Sequence, residues 1–174
     1  MIKDENKKKL TEELIDIFEK AKNEFLEKEK AIIKNDTNER TLTQRLAFYL
    51  KLQLRKNIKY ENYSVDCEYN RKEEDIKRLK FGKNTDKKEI YPDIIVHQRK
   101  IKDNLIVIEM KKSTSNNKDC KEKDRERLKI MTDLNEPNNF NYTLGVYFEV
   151  DTIGNNNHII EFFVNGKEYK KSWK

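Results

Sequence analysis

Leu10, Leu14, Ile17, Phe18, Ala21 and Phe25 recur every three or four residues, the spacing that lines one face of a helix. They predict a long amphipathic helix from about Leu10 to Ile33, ended by Asn35 and Asp36. Its apolar stripe must be covered, and packing on its own domain is the more ordinary outcome than packing on a second copy. A second helix is predicted to start near Thr37 to Glu39 and to run through ERTLTQRLAFYLKLQLRK, with Leu42, Leu46, Tyr49 and Leu50 on one face. From Ser64 to Arg71 the pattern changes to strict alternation: Val65, Cys67 and Tyr69 against Asp66, Glu68 and Asn70, as in a half-buried strand. The polar stretch from Lys72 to Lys88, with Gly82 inside it, reads as a long loop with one helical turn around Ile76 to Leu79.

The segment YPDIIVHQRKIKDNLIVIEMKKS, Tyr91 to Ser113, reads as two apolar strands joined by a basic, Asn-containing turn. Because strand side chains alternate, Asp93, Ile95 and His97 share one side of the first strand, and Val107, Glu109 and Lys111 one side of the second. A polar tract then leads into CKEKDRERLKIMTDL, where Leu128, Met131 and Leu134 mark a third helix that Pro137 stops. Tyr142 to Val150 and HIIEFFVNG read as further strands around a GNNN turn, the chain closing in a β-hairpin. Grouped strands point to a single layered α/β (α+β) domain over residues 1–174, with a mixed central sheet flanked by helices, rather than to a Rossmann unit. No repeat, inter-domain linker or Gly-rich phosphate loop is visible, which disfavours a nucleotide-binding enzyme and a small-molecule cofactor.

Composition alters this picture only in part. Charged residues make up 40% of the 174 and hydrophobic ones 35%, a balance that leans towards disorder, but the apolar residues are gathered into periodic segments, so a folded core is expected. The net charge of +6 is uneven: residues 1–34 balance, whereas residues 39–60 set Arg40, Arg45, Lys51, Arg55, Lys56 and Lys59 against Glu39 alone. A basic face suits a polyanion such as nucleic acid; equally, a Lys-rich surface serves solubility. Cys67 and Cys120 form no disulfide framework, and no apolar run has the length of a membrane helix or a signal-peptide core, so a cytoplasmic protein without a membrane partner is expected.

Within NLIVIEM, Glu109 is the sole ionisable residue, and a carboxylate on a buried strand is costly unless a cation compensates it. Lys111 shares its face, and Asp93 across the hairpin adds a second hard oxygen. Two such carboxylates, with the Met110 carbonyl as a further ligand, suit Mg2+, whose remaining sphere is left to water and phosphate. The ammonium would position the attacking water or offset charge on the phosphorane. The string E-x-K also occurs at Glu5 to Lys7 and Glu168 to Lys170, but only the copy at Glu109 to Lys111 follows a buried-looking strand preceded by Pro92-Asp93. A turn dipeptide at Pro92-Asp93 and a surface ion pair between Glu109 and Lys111 would account for the same pattern.

Asp93 after Pro92, fifteen intervening residues, then EMK at 109–111 resembles the PD-(D/E)XK nuclease superfamily. Its core order of helix, three strands, helix, strand looks like residues 39–150, leaving residues 1–36 as a helical extension and the final hairpin as a second extension. ERTLTQRLAFYL, VDCEYNR, YPDIIVHQR and NLIVIEMKKS are similar to small stand-alone bacterial members. The resemblance implies a restriction-endonuclease-like fold and a Mg2+- or Mn2+-dependent DNA endonuclease. Asp93 and Glu109 would bind the metal, Lys111 would assist the water, and Glu39 would be an auxiliary acid, although an acid in a first helical turn is also favoured by the helix dipole. A homodimer is expected if both strands of a duplex are cut. A different class, a DNA- or partner-binding module that keeps the fold without cutting, is the alternative, and RNA is a weaker candidate substrate. Gln44 could point into the same site or sit on an exposed face. Tyr69, Asn70 and Arg71 could meet a phosphate or simply end a strand, Lys112 could contact phosphate or solvent, His97 is read as a packed or surface histidine, and Asp124 as a solvated or helix-pairing residue.

Overall fold

The computed structural model describes residues 2–69, 71–72, 75–76, 78–80, 87–99, 101–135 and 140–170. The chain opens with α1 (Ile2–Lys28) and, after a break at Glu29, α2 (Lys30–Lys34). The helix starts well before Leu10 because its charged, mostly straight-chain first turns favour helix without any apolar periodicity. Leu14, Phe18, Ala21 and Phe25 are fully buried. Phe18 meets Phe148 and Phe162 edge-on, with ring centroids 6.1 and 6.0 Å apart, so the stripe lies on this chain's own sheet and is not free for a second copy.

Asp36, at φ +48, turns the chain out of α2, and the Asn38 side chain accepts the Thr41 N–H at 2.8 Å to start α3 (Glu39–Leu54). Leu42, Leu46, Tyr49 and Leu50 face inward as their spacing predicts. Three of the six basic residues of this region are met by acids folded against them: Arg40 pairs with Glu68 at 2.9 Å, Arg45 with Glu29, and Lys59 with Glu13 at 2.8 Å. The excess of positive charge read along residues 39–60 is therefore partly paired within the fold.

β1 (Ser64–Cys67) is shorter than predicted because Glu68, at φ +49, leaves the extended conformation. β2 (Arg71–Lys72) pairs with β3 (Asp75–Ile76), and β4 (Arg78–Lys80) with β5 (Lys87–Glu89). Ile76 and Leu79 are thus in strands, not in a helical turn; ladder pairing satisfies the backbone of a segment whose side chains show neither period. Asn70 and Gly82 lie outside the described residues.

β6 (Ile94–Gln98) and β7 (Asp103–Lys112) form the expected antiparallel hairpin, with Ile94 opposite Ile108 and a one-residue slip between Val96 and His97. Ile94, Val96, Ile106, Ile108 and Met110 belong to the core beneath α1 and α3; Ile95 and Val107 belong to the core beneath α4 (Lys118–Thr132). The α4 crossover returns the chain as β8 (Leu144–Val150), parallel to β7. α4 ends before Leu134, which is half-exposed, while Pro137 lies outside the described residues. Gly145 permits the approach of α4: a Cβ there would stand 3.1 Å from Thr132 Cγ2 and 3.2 Å from Phe163 Cβ. β9 (Ile159–Val164) and β10 (Lys167–Tyr169) close the sheet as a hairpin whose turn residues, Asn165 and Gly166, have φ of +52 and +74, the signs a two-residue type I′ turn requires. The fold is mixed α+β: a six-stranded mixed sheet in the order β1-β6-β7-β8-β9-β10, with α1 and α3 on one face and α4 on the other. Among the described residues no helix is long and apolar enough to cross a membrane.

Candidate active site

Asp93 lies immediately before β6, on the same side as Ile95, and its Oδ2 accepts the Met110 N–H at 2.7 Å. The carboxylate thus extends the β6–β7 ladder past the last backbone pair. Glu109, on the Val107 side of β7, is 1% exposed, and Arg127 Nη1 of α4 donates to its Oε1 at 2.7 Å. Lys111 Nζ donates to Glu39 Oε1 at 2.9 Å and to the Met110 carbonyl at 3.1 Å, and stands 3.3 Å from Asp124 Oδ2. Glu39 occupies the first turn of α3, where an acid is favoured by the dipole, yet its side chain also reaches across to β7, its Oε2 accepting the Lys112 N–H at 3.3 Å. The hairpin, α3 and α4 therefore bring Asp93, Glu109, Lys111 and Glu39 to one end of the sheet.

The electrostatics follow from burial and crowding. Burial raises the Asp93 carboxyl above its ordinary value; the Met110 N–H and Lys111 oppose this, and Glu39 and Asp124 reinforce it. Burial, then the neighbouring Asp93, hold Glu109 well above the usual carboxylate range despite Arg127. For Lys111 burial acts against the charge, but Asp93, Asp124 and Glu39 outweigh it and raise the ammonium above the ordinary lysine value. Four carboxylates, Asp93, Glu109, Glu39 and Asp124, share two cations, Lys111 and Arg127, so the fully ionised cluster carries a formal charge of −2.

That deficit, with two hard carboxylates and the Met110 carbonyl close together, fits a divalent cation such as Mg2+ or Mn2+. As they stand, no three acidic, His or Cys side chains among the described residues converge closely enough to hold one, with Arg127 on Glu109 and Lys111 on Glu39. A cleft lined by Glu39, Arg40, Thr43, Gln44, Cys67, Glu68 and Asp93 leads to the Asp93 side of the cluster. Gln44 is exposed, and it belongs to this lining rather than to a remote helical face.

Other candidates fall elsewhere. His97 is buried, with Nε2 2.9 Å from Asp66 Oδ2 and its ring 4.8 Å from that of Tyr69, a packed histidine as expected. Lys112 Nζ pairs with Asp36 Oδ1 at 3.0 Å and so ties the entry of α3 to β7. Asp124 is not solvated but pairs along its helix: it is 5% exposed and stands between Lys111 and Arg127, three residues on in α4. Arg127 has no counterpart in the sequence reading. One signal was present in the chain: Asp124 lies four residues before Leu128 and seven before Met131, which puts an acid on the buried stripe of α4 and an arginine one turn after it.

Compared with protein-family models, with curated proteins and with solved structures, the chain matches none.

Proposed function

We propose that this chain is a metal-dependent DNA endonuclease of the PD-(D/E)XK, restriction-endonuclease-like type. The observation that carries the reading is the convergence of Asp93, Glu109, Lys111 and Glu39, from the β6–β7 hairpin and α3, in one cluster where, with Asp124 and Arg127, four carboxylates face two cations. The succession α3, β1, β6, β7, α4, β8 supports it, since it follows the expected order of helix, three strands, helix, strand once the two small ladders between β1 and β6 are set aside as an insertion.

Asp93, Glu109 and the Met110 carbonyl would hold Mg2+ or Mn2+, which when bound supplies Lewis-acid charge to the phosphoryl oxygen and makes a bound water more acidic. Lys111, held by Glu39 and Asp124, keeps its proton and acts as a fixed positive charge that orients water and offsets charge building on the phosphorane. Glu39 sets the position of that ammonium from α3. One such site cuts one strand, so a pair of copies would serve duplex cleavage.

A second reading, a DNA- or partner-binding module that does not cut, is favoured by one observation: Glu109 is already paired with Arg127, as a closed structural ion pair would be. The two readings part on a panel of duplex, single-stranded and branched DNA and RNA, incubated with Mg2+ or Mn2+. The nuclease reading predicts metal-dependent cutting of DNA that Asp93→Asn abolishes. Retarded migration of DNA without cutting, unchanged by Asp93→Asn, would favour the binding module.

A further inference from the structure

We propose that Arg127 is an internal counter-ion of Glu109 that a divalent cation displaces, so that α4 regulates loading of the site; this rests on the metal-dependent reading above. Glu109 is buried on a strand whose neighbours in sequence are apolar, and among the described residues Arg127 is the cation hydrogen-bonded to it. An arginine that pairs with a carboxylate frequently places its planar fork on both oxygens. Arg127 does not. It places one N–H on Glu109 Oε1 at 2.7 Å, makes a longer contact of 3.3 Å from Nη2 to Asp124 Oδ1, and leaves its buried Nε without a hydrogen-bond partner. Asp124 Oδ2 is also buried without a hydrogen bond, its nearest cation being Lys111 at 3.3 Å.

These two unsatisfied atoms define an exchange. When Glu109 turns to a divalent cation, Arg127 loses one acceptor and keeps Asp124, one turn away on the same helix and already 3.3 Å from its Nη2. With all four carboxylates ionised, a divalent ion brings the formal charge of the cluster from −2 to zero, and Arg127 need not leave. In the absence of the ion, Arg127 holds Glu109 against Asp93 and lowers the cost of their mutual repulsion. It therefore competes with the ion for the same oxygen.

The test is titration calorimetry of the whole chain with Mg2+ and Mn2+, without nucleic acid, for wild type, Arg127→Gln and Arg127→Lys. Arg127→Gln should bind the cation about tenfold more tightly than wild type, and Arg127→Lys should fall between them. Equal or weaker binding in Arg127→Gln, with the wild type binding normally, overturns this inference alone and makes Arg127 a support of the loaded site. Absence of cation binding in all three contradicts both this inference and the metal-dependent reading. Because a variant of a half-buried arginine can misfold, a measurement on wild type accompanies these: the Arg127 Nε–H resonance should shift during Mg2+ titration with the same midpoint as the heat, and a resonance that stays in place overturns the exchange.

Discussion

Burial alone would pull the Lys111 ammonium down, yet Asp93, Asp124 and Glu39 outweigh that penalty and raise it above the ordinary lysine value. Asp66 shows the same contest with the other sign. Burial raises its carboxyl, but Arg99, whose Nε is 3.1 Å away, and His97 at 2.9 Å together bring it below its ordinary value. A depressed carboxyl stabilises the fold above its unfolded value, about 3.9, and loses that contribution as pH falls through the lower folded value. Wild type should therefore exceed Asp66→Asn in denaturant midpoint near neutral pH, and the difference should shrink progressively below about pH 4. A difference that is constant with pH would show that Asp66 acts through hydrogen bonding alone. At this scale the sequence exposed Asp93, Glu109 and Lys111 because each interrupts or ends an apolar run. Arg127 was hidden, because its meaning depends on α4 crossing β7, a contact between residues 18 apart.

The decisive contact between elements is that of α4 with β8, where Gly145 lets the helix approach. Its neighbours at 3.1 and 3.2 Å are a methyl and a Cβ, neither of which can swing aside as the end of a long side chain would. Gly145→Ala is expected to cost roughly 1–3 kcal/mol, read as a lower urea midpoint with unchanged slope. No loss would mean that α4 shifts freely, and the positions of Asp124 and Arg127 over the site would then be less fixed than described. The helices were legible where apolar residues repeat, as with Leu42, Leu46 and Leu50 in α3, and less so at their ends. α1 begins in a charged run without periodicity, and α4 stops before Leu134 although that residue continues the pattern. The ladders between Arg71 and Glu89 left no trace in the sequence, because their side chains follow neither a strand nor a helix period.

In the molecule as a whole, the N-terminal helix is part of the core rather than an appendage, since Phe18 and Phe25 pack on Phe148 from β8. Phe18→Ala should destabilise the protein by about 3–5 kcal/mol in chemical denaturation. A loss under 1 kcal/mol would instead mark α1 as loosely attached and reopen its stripe as a docking face. The layered class and the β6–β7 hairpin were readable because contiguous apolar runs report burial directly. The pairing of half the basic residues in 39–60 was not, because Glu13, Glu29 and Glu68 reach them only after folding. The most direct test of the proposed function is nicking of supercoiled plasmid DNA with Mg2+ or Mn2+, comparing wild type with a folded Lys111→Ala variant. The account predicts cleavage that requires the cation and falls at least about a hundredfold in the variant; equal cleavage by both proteins, or none by wild type with either cation, would contradict it.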